Sequence, residues 1–367
     1  MEEQEHQPAQ DRTKPDGLLY HYTNQNGLLG ILGSKTIWAT HIRYLNDSSE
    51  YTHGLEIVRR EVLQLKVDPS PELAAQGLSE HAEMLEKILR KGMTQALESL
   101  DDVSIYVASF FDSSDDEGQD SGDMLGQWRA YSGGSAGFSI GFDKEAVAQY
   151  IWRSGDEDGI PIMGDKCVYQ LNRQQEYVHK EVAKIGPTAI KYFKSVMSDF
   201  MSNNFPRILE EAKRGILRDS ADQLLRTAVE KVTTELQKAF AREAAGFSSS
   251  MASQFARIAV PAIFMKNPAF SDEREWRIAK LYNEVPSEIM FRAGKSSLIP
   301  FITIPLPQSC EDGTSLIRRI VVGPSPKIDD AVAAVRMLLK SLNFKVRAHG
   351  ETEGVEIVPS KIPYRDW

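Results

Sequence analysis

The chain of 367 residues is poor in cysteine: it has two, Cys167 and Cys310, far apart in sequence. That excludes a disulfide framework and a Cys-rich zinc site. Histidine is also sparse, at seven. The pair nearest one another, His41 and His53, lacks ligand spacing, so no metal site is expected. No window approaches the roughly 18 consecutive apolar residues of a membrane span. The opening "MEEQEHQPAQDRTKPDG" has no basic start and no apolar stretch, so it does not read as a signal peptide. The reading is a cytoplasmic protein with no membrane partner. Familiar signatures are missing too: no G-x-x-x-x-G-K-[ST], no H-E-x-x-H and no G-x-S-x-G. The net charge of −9 argues against bulk nucleic-acid binding, though not against a local basic groove.

What is present is ordinary globular material, 41% hydrophobic and 26% charged. Residues 1–16 read as a disordered tail, polar and without an apolar face. Residues 17–367 read as one α+β domain. Strands are expected at 17–22, 36–42, 102–111, 136–143, 275–282 and in "LIPFITIPL" and "IRRIVVGP". Leu28, Ile31 and Leu32 recur at helical spacing after Thr23, which suits an N-cap, and Gly33 suits the stop. Residues 112–123, "DSSDDEGQDSGD", form an acidic loop without core residues. A long helical insertion covers about 183–266, with Leu224, Leu225, Val229, Val232, Leu236 and Phe240 on one stripe. It offers a surface for a homo-oligomer or a partner protein. The sheet is expected to be mixed and mostly antiparallel.

Four segments carry chemistry-bearing residues. His21-Tyr22-Thr23 ends the first strand. "IRYLNDSSEY" holds Asn46 and Asp47, which are also ordinary turn formers. "GQWRAYSGGSAGFSIGF" brings Trp128, Arg129 and Tyr131 beside glycines. Such residues stack on planar rings and bind phosphate, or simply pack a hairpin. "DEREWRI" places Glu273, Glu275 and Arg277 on one side of an extended segment and Arg274 and Trp276 on the other. That is either a solvated ladder or a site. A carboxylate with an imidazole and aromatic rings suits cleavage of a glycosidic bond through an oxocarbenium-like state.

"LYHYTNQNGLLGILGSKTIWATHIRYLNDSSEY", "YVASFF", "QWRAYSGGSAGFSIGFD", "DEREWRI", "IVVGP" and "IVPSKIPYR" together resemble a bacterial family known as domain of unknown function 2971. The family name implies no activity. "LYHYTNQNGLLGILGSKTIWAT" also resembles the opening of ADP-ribosyltransferase domains of the His-Tyr-Glu type. That second resemblance implies a transferase-like fold and NAD as substrate. It implies His21 as the ribose contact flanked by Tyr22 and Thr23, and Tyr131 or Ser109 as the middle-strand element. It implies Glu275 as the catalytic carboxylate, paired with Glu273. Arg129 would meet the dinucleotide, and Asn46, Asp47, Trp128 and Arg277 the substrate. Arg277 could equally pair with Glu275 in an inert salt bridge.

Three functions stay open. One is an NAD-dependent ADP-ribosyltransferase or NAD glycohydrolase acting on a protein, nucleic-acid or other acceptor, as a toxin or defence effector. Another is a non-catalytic nucleotide or nucleic-acid binding module built on Trp128, Arg129, Trp276 and Arg277. The third is a metal-dependent nuclease or other hydrolase using Asp47, Glu50, Glu273 and Glu275. One arrangement separates them: whether His21, Tyr131 and Glu275 line a common cleft.

Overall fold

The computed structural model describes residues 17–45, 49–64, 103–113, 120–132, 137–154, 162–199, 260–282, 284–294, 296–307, 309–310, 313–348 and 351–363, with isolated positions between 94 and 210. The expected tail at 1–16, Asn46, Asp47 and the stripe from Leu224 to Phe240 lie outside the described residues.

The described residues fall into two compact units. The first joins residues 1–48, 103–167 and 269–367; the second joins 49–102 and 168–268. The second unit draws on two stretches of chain, and periodicity in either stretch does not reveal that they pack together.

In the first unit the chain runs β1 (Leu18–Thr23), α1 (Gln25–Ser34), β2 (Thr36–His41) and a 3-10 turn at Ile42–Tyr44. It returns as β3 (Ser104–Asp112), and β4 (Phe138–Asp143) and β5 (Ile162–Lys166) follow. The last strands are β6 (Glu275–Tyr282), β7 (Met290–Ala293), β8 (Leu298–Pro305), β9 (Ile317–Val322) and β10 (Glu356–Pro359). They form one sheet in the order β10-β9-β4-β1-β3-β2-β8-β7, with β6 also on β3 and β5 on β6. Among the described strand pairings β9–β10 is parallel and the others antiparallel, so the sheet is mixed and mostly antiparallel, as expected.

Helix α1 begins one residue later than Thr23 suggested. Asn24 is its N-cap, its side-chain oxygen accepting from the Gly27 N–H at 3.0 Å. Gly33 does not stop it; Lys35 does, in the left-handed region at φ 55°. Alternation along the strands then selects the core. Leu19, Phe110, Ile140, Phe142, Trp276, Ile278 and Ile320 all project to one face. Leu28, Ile31 and Leu32 of α1 cover that face. So do Ala146, Val147 and Ile151 of a helix at Lys144–Ser154, and Val335 and Leu339 of one at Ile328–Ser341. Each fully buried aliphatic or aromatic side chain there contributes about 1.5–3 kcal/mol.

In the second unit a helix at Ser49–Leu63 packs on one at Leu171–Asp199 and on the 3-10 segment Val260–Phe264. Gly54 permits the approach: a Cβ there would meet the Ala262 carbonyl at 2.4 Å. Gln174, fully buried, ties the unit by donating to the Val168 and Lys266 carbonyls while its oxygen meets His53 Nε2 at 3.2 Å. Among the described residues, no helix is long and apolar enough to cross a membrane.

Candidate functional site

Strand register decides which side chains share a face. Tyr20 of β1 lies opposite Phe111 of β3, and Phe111 lies opposite Glu275 of β6. Ser109 and Arg277 are likewise opposite one another. Ser109, Phe111, Glu275 and Arg277 therefore project with Tyr20 and Tyr22, away from the helix-covered face. His21, one residue out of phase, projects to the helix-covered face with Ile140, and its ring meets Phe110 at 5.6 Å. The strand carrying His21 and the strand carrying Glu275 are thus both neighbours of β3, but their side chains are on opposite sides of the sheet. The expected common cleft of His21 and Glu275 is corrected by this parity.

β3 shares one edge between two strands. β1 is in register with it at Leu19 and Tyr20, and β2 at Thr40 and His41. Ala108–Phe110 lie where β1 and β2 diverge. There the His21 imidazole acts in place of a strand, its Nδ1 3.0 Å from the Ser109 carbonyl. A carbonyl only accepts, so the proton sits on Nδ1. Burial lowers the His21 pKa, and the Ser109 bond opposes that in part. The ring is neutral and holds the fork.

Across β3 from His21 stands an ion pair. Arg277 Nε donates to Glu275 Oε1 at 2.7 Å and Nη2 donates to Oε2 at 2.9 Å. Arg277 is 1% exposed and Glu275 3%. The two positions are i and i+2 on β6, so the sequence reading that put them on one side was right. Glu273 is not on β6. It sits in the 3-10 stretch Pro268–Glu273, and Arg274, at φ 40°, breaks the alternation before β6 begins. The expected Glu273–Glu275 pair on one strand is therefore corrected. Trp276 is buried in the helix-covered core, unavailable for stacking.

The Gly-flanked middle segment is not a strand at Trp128–Tyr131. It forms a short helix, α2 (Leu125–Tyr131). Tyr131 and Arg129 project from it, exposed, and Tyr131 is no middle-strand element. Ser109, on β3, does occupy the middle strand and is partly exposed. Trp128 is buried, its Nε1 donating to Asp123 at 2.8 Å and its ring meeting Tyr22 edge-on at 4.8 Å. The Tyr22 hydroxyl donates to the Ser121 carbonyl at 2.6 Å and accepts from the Met124 N–H at 3.0 Å. Burial pushes its pKa far up. Tyr22 and Trp128 are packing residues, corrected from ligand contacts. Thr23, at the end of β1, is partly exposed, with its hydroxyl packed against Gly27. Asn46 and Asp47 lie outside the described residues.

The acidic loop contains core residues after all at its described ends. Asp112 is buried and bridges Lys144 at 2.7 Å and Lys166 at 3.2 Å. Ser121 is 1% exposed. Arg319 Nη1 meets the Tyr20 hydroxyl at 3.1 Å, and Nη2 meets Asp120 at 3.0 Å. Tyr20 reaches Arg319 by lying over Gly141, where a Cβ would come within 2.8 Å of its ring. Asp123 accepts from the Ser360 hydroxyl and the Lys361 N–H.

Sequence reasoning missed Gln127 and Ser139. Both are buried, and Ser139 lies opposite Tyr22. The Gln127 side-chain oxygen has no hydrogen-bond partner among the described residues. The signal was slight: a Gln beside Trp128 in an apolar setting. Among the described residues, no group of three His, Cys, Asp or Glu is placed to hold a metal ion.

No curated protein and no solved structure matches the chain. The stretch from Gln127 to Ile278, which holds most of α2, with β4, β5 and the Glu275–Arg277 pair, matches a family model. Over residues 127–278 the chain is similar to the family described as Protein of unknown function (DUF2971).

Proposed function

We propose that the chain binds a nicotinamide dinucleotide where β1, β3 and β6 run side by side, and cleaves its nicotinamide–ribose bond to pass ADP-ribose to an acceptor. The observation that supports this is the adjacency of three strands read separately from sequence. His21, Ser109 and Glu275 stand on neighbouring strands, joined through the Ser109 carbonyl and the Ser109–Arg277 pairing. In this reading the roles change. Ser109 and Glu275 meet the ligand from the face away from the helices. His21 does not touch it, and instead fixes the edge of β3. Glu275 stabilises positive charge developing on the ribose, and the ligand shares the carboxylate with Arg277.

A second reading is nucleotide binding without chemistry. Both Glu275 oxygens accept from Arg277, which favours it. One experiment separates the two: titration calorimetry with NAD, together with chromatography of released nicotinamide, on wild type and Glu275→Gln. The first reading expects heat of binding, nicotinamide release, and a loss of about 10²–10³-fold in release on substitution. Binding without release leaves the second. Absence of both removes the two together. Consumption of NAD would make a toxin or defence role natural, and growth of cells expressing wild type against Glu275→Gln reads it.

A further inference from the structure

A cross-strand row on the helix-covered face is used by none of this. His41 of β2 lies opposite Tyr106 of β3, and Tyr106 lies opposite Lys280 of β6. Residues bearing an imidazole, a phenol and an ammonium are therefore cross-strand neighbours on adjacent strands. Tyr106 is 0% exposed, and its hydroxyl has no hydrogen-bond partner among the described residues. Ser104, two residues earlier on the same face, holds its hydroxyl in electrostatic reach without completing a bond of good geometry. A buried phenol left in this way is unfavourable unless something completes it.

The neighbours are donors. His41 Nδ1 accepts from the Arg43 N–H at 3.3 Å, so the neutral ring carries its proton on Nε2. Burial and the Arg43 charge both favour that neutral form. The ring is partly exposed and meets Tyr106 at 5.3 Å and the exposed Tyr44 at 5.6 Å. Lys280 Nζ lies 5.2 Å from the centre of the Tyr282 ring. Among the described residues the acid whose charge acts on Tyr106 is exposed Glu288, which accepts from the Tyr282 hydroxyl at 2.5 Å. That bond takes up a donor that would otherwise compete, but the Glu288 charge also opposes a second anion.

We propose that His41, Tyr106 and Lys280 form a binding site for an oxyanion, the carboxylate or phosphate of a small molecule. Nε2–H, O–H and ammonium supply three donors, and the anion's oxygens supply the acceptor that Tyr106 lacks. The site stands apart from Ser109 and Glu275, which project from the other side of the sheet.

Inorganic phosphate and acetate, titrated separately by calorimetry and thermal melting, test it and tell the two anion types apart. Wild type should bind one of them and gain in melting temperature. Tyr106→Phe should melt higher than wild type without anion and bind at least tenfold more weakly. Lys280→Met should weaken binding further, and Glu288→Gln should tighten it several-fold. Equal binding by wild type and Tyr106→Phe overturns the proposal, as does the absence of binding to both anions. A Tyr106→Phe that melts lower and leaves anion response unchanged assigns the phenol to a buried water instead, and also overturns it.

Discussion

The two faces of the sheet are built from the same strands and differ in kind. The helix-covered face carries Phe110, Ile140, Phe142, Trp276 and Ile320, and three helices bury it. The opposite face carries Tyr20, Tyr22, Ser139, Ser109, Glu275, Arg277 and Arg319, and combines a smaller apolar cluster of Leu18, Tyr20, Tyr22, Phe111, Trp128 and Val321 with hydrogen bonds and ion pairs. On the first face a residue is specified mainly by volume. On the second it is specified by its partner, because a buried polar group without one is unfavourable. The apolar positions of the first face are therefore expected to be sensitive to side-chain size, and the buried ion pair of the second to the loss of either partner.

The largest effect that breaks this contrast is expected at the ion pair. Arg277→Met leaves Glu275 buried without its cation and should destabilise by about 3–5 kcal/mol. Replacing both, as Glu275→Leu with Arg277→Met, should recover most of that, because the desolvation of two charges disappears with them. Urea unfolding of the two single variants and the double variant measures the coupling. Additive losses would mean that the pair does not act as a pair. On the other face Phe110→Ala should lose about 3–5 kcal/mol through its cavity, with no polar substitution to rescue it.

A smaller effect is expected at Gly141, where the faces depend on a missing side chain. Gly141→Val pushes into the Tyr20 ring and separates it from Arg319, so about 1–3 kcal/mol should be lost. Tyr20→Ala in the same background removes the clash and should return part of it. Melting curves of the three variants give the answer directly.

Much of this was legible in the sequence, and the missing part has one cause. β-branched and apolar runs marked β1, β2, β3 and β6 to within a residue or two. Spacing of two placed Glu275 and Arg277 together, since that depends on β6 alone. Whether His21 joins them depends on the registers Tyr20–Phe111–Glu275, which tie residues far apart in the chain. No local pattern carries that parity. A slip of one residue would have put His21 with Glu275, and the apolar alternation of Leu19, Phe110 and Trp276 is what forbids it. Trp128 and Tyr131 failed for another reason. A helix of seven residues between glycines has too few turns to show its period.

The mildest test of the comparison uses pH. His21 is the titratable side chain of β1 on the helix-covered face, and burial lowers its pKa below the ordinary value of 6.5. In the unfolded chain the ring takes a proton near pH 6.5, while in the folded chain it resists until the pH is lower. The unfolded state then binds more protons, so stability falls as pH falls from about 6.5 toward the lowered folded pKa. Well above pH 6.5, where the unfolded ring is neutral too, His21 contributes no slope. His41 is shifted the same way and adds to the same window. His21→Gln retains an amide donor for the Ser109 carbonyl and cannot titrate. Its stability profile between pH 7.5 and about 5.5 should be flatter than wild type, with the His41 share remaining. An unchanged slope would mean that the imidazole is hydrated and charged, and that the fork on β3 is open to solvent rather than closed by His21.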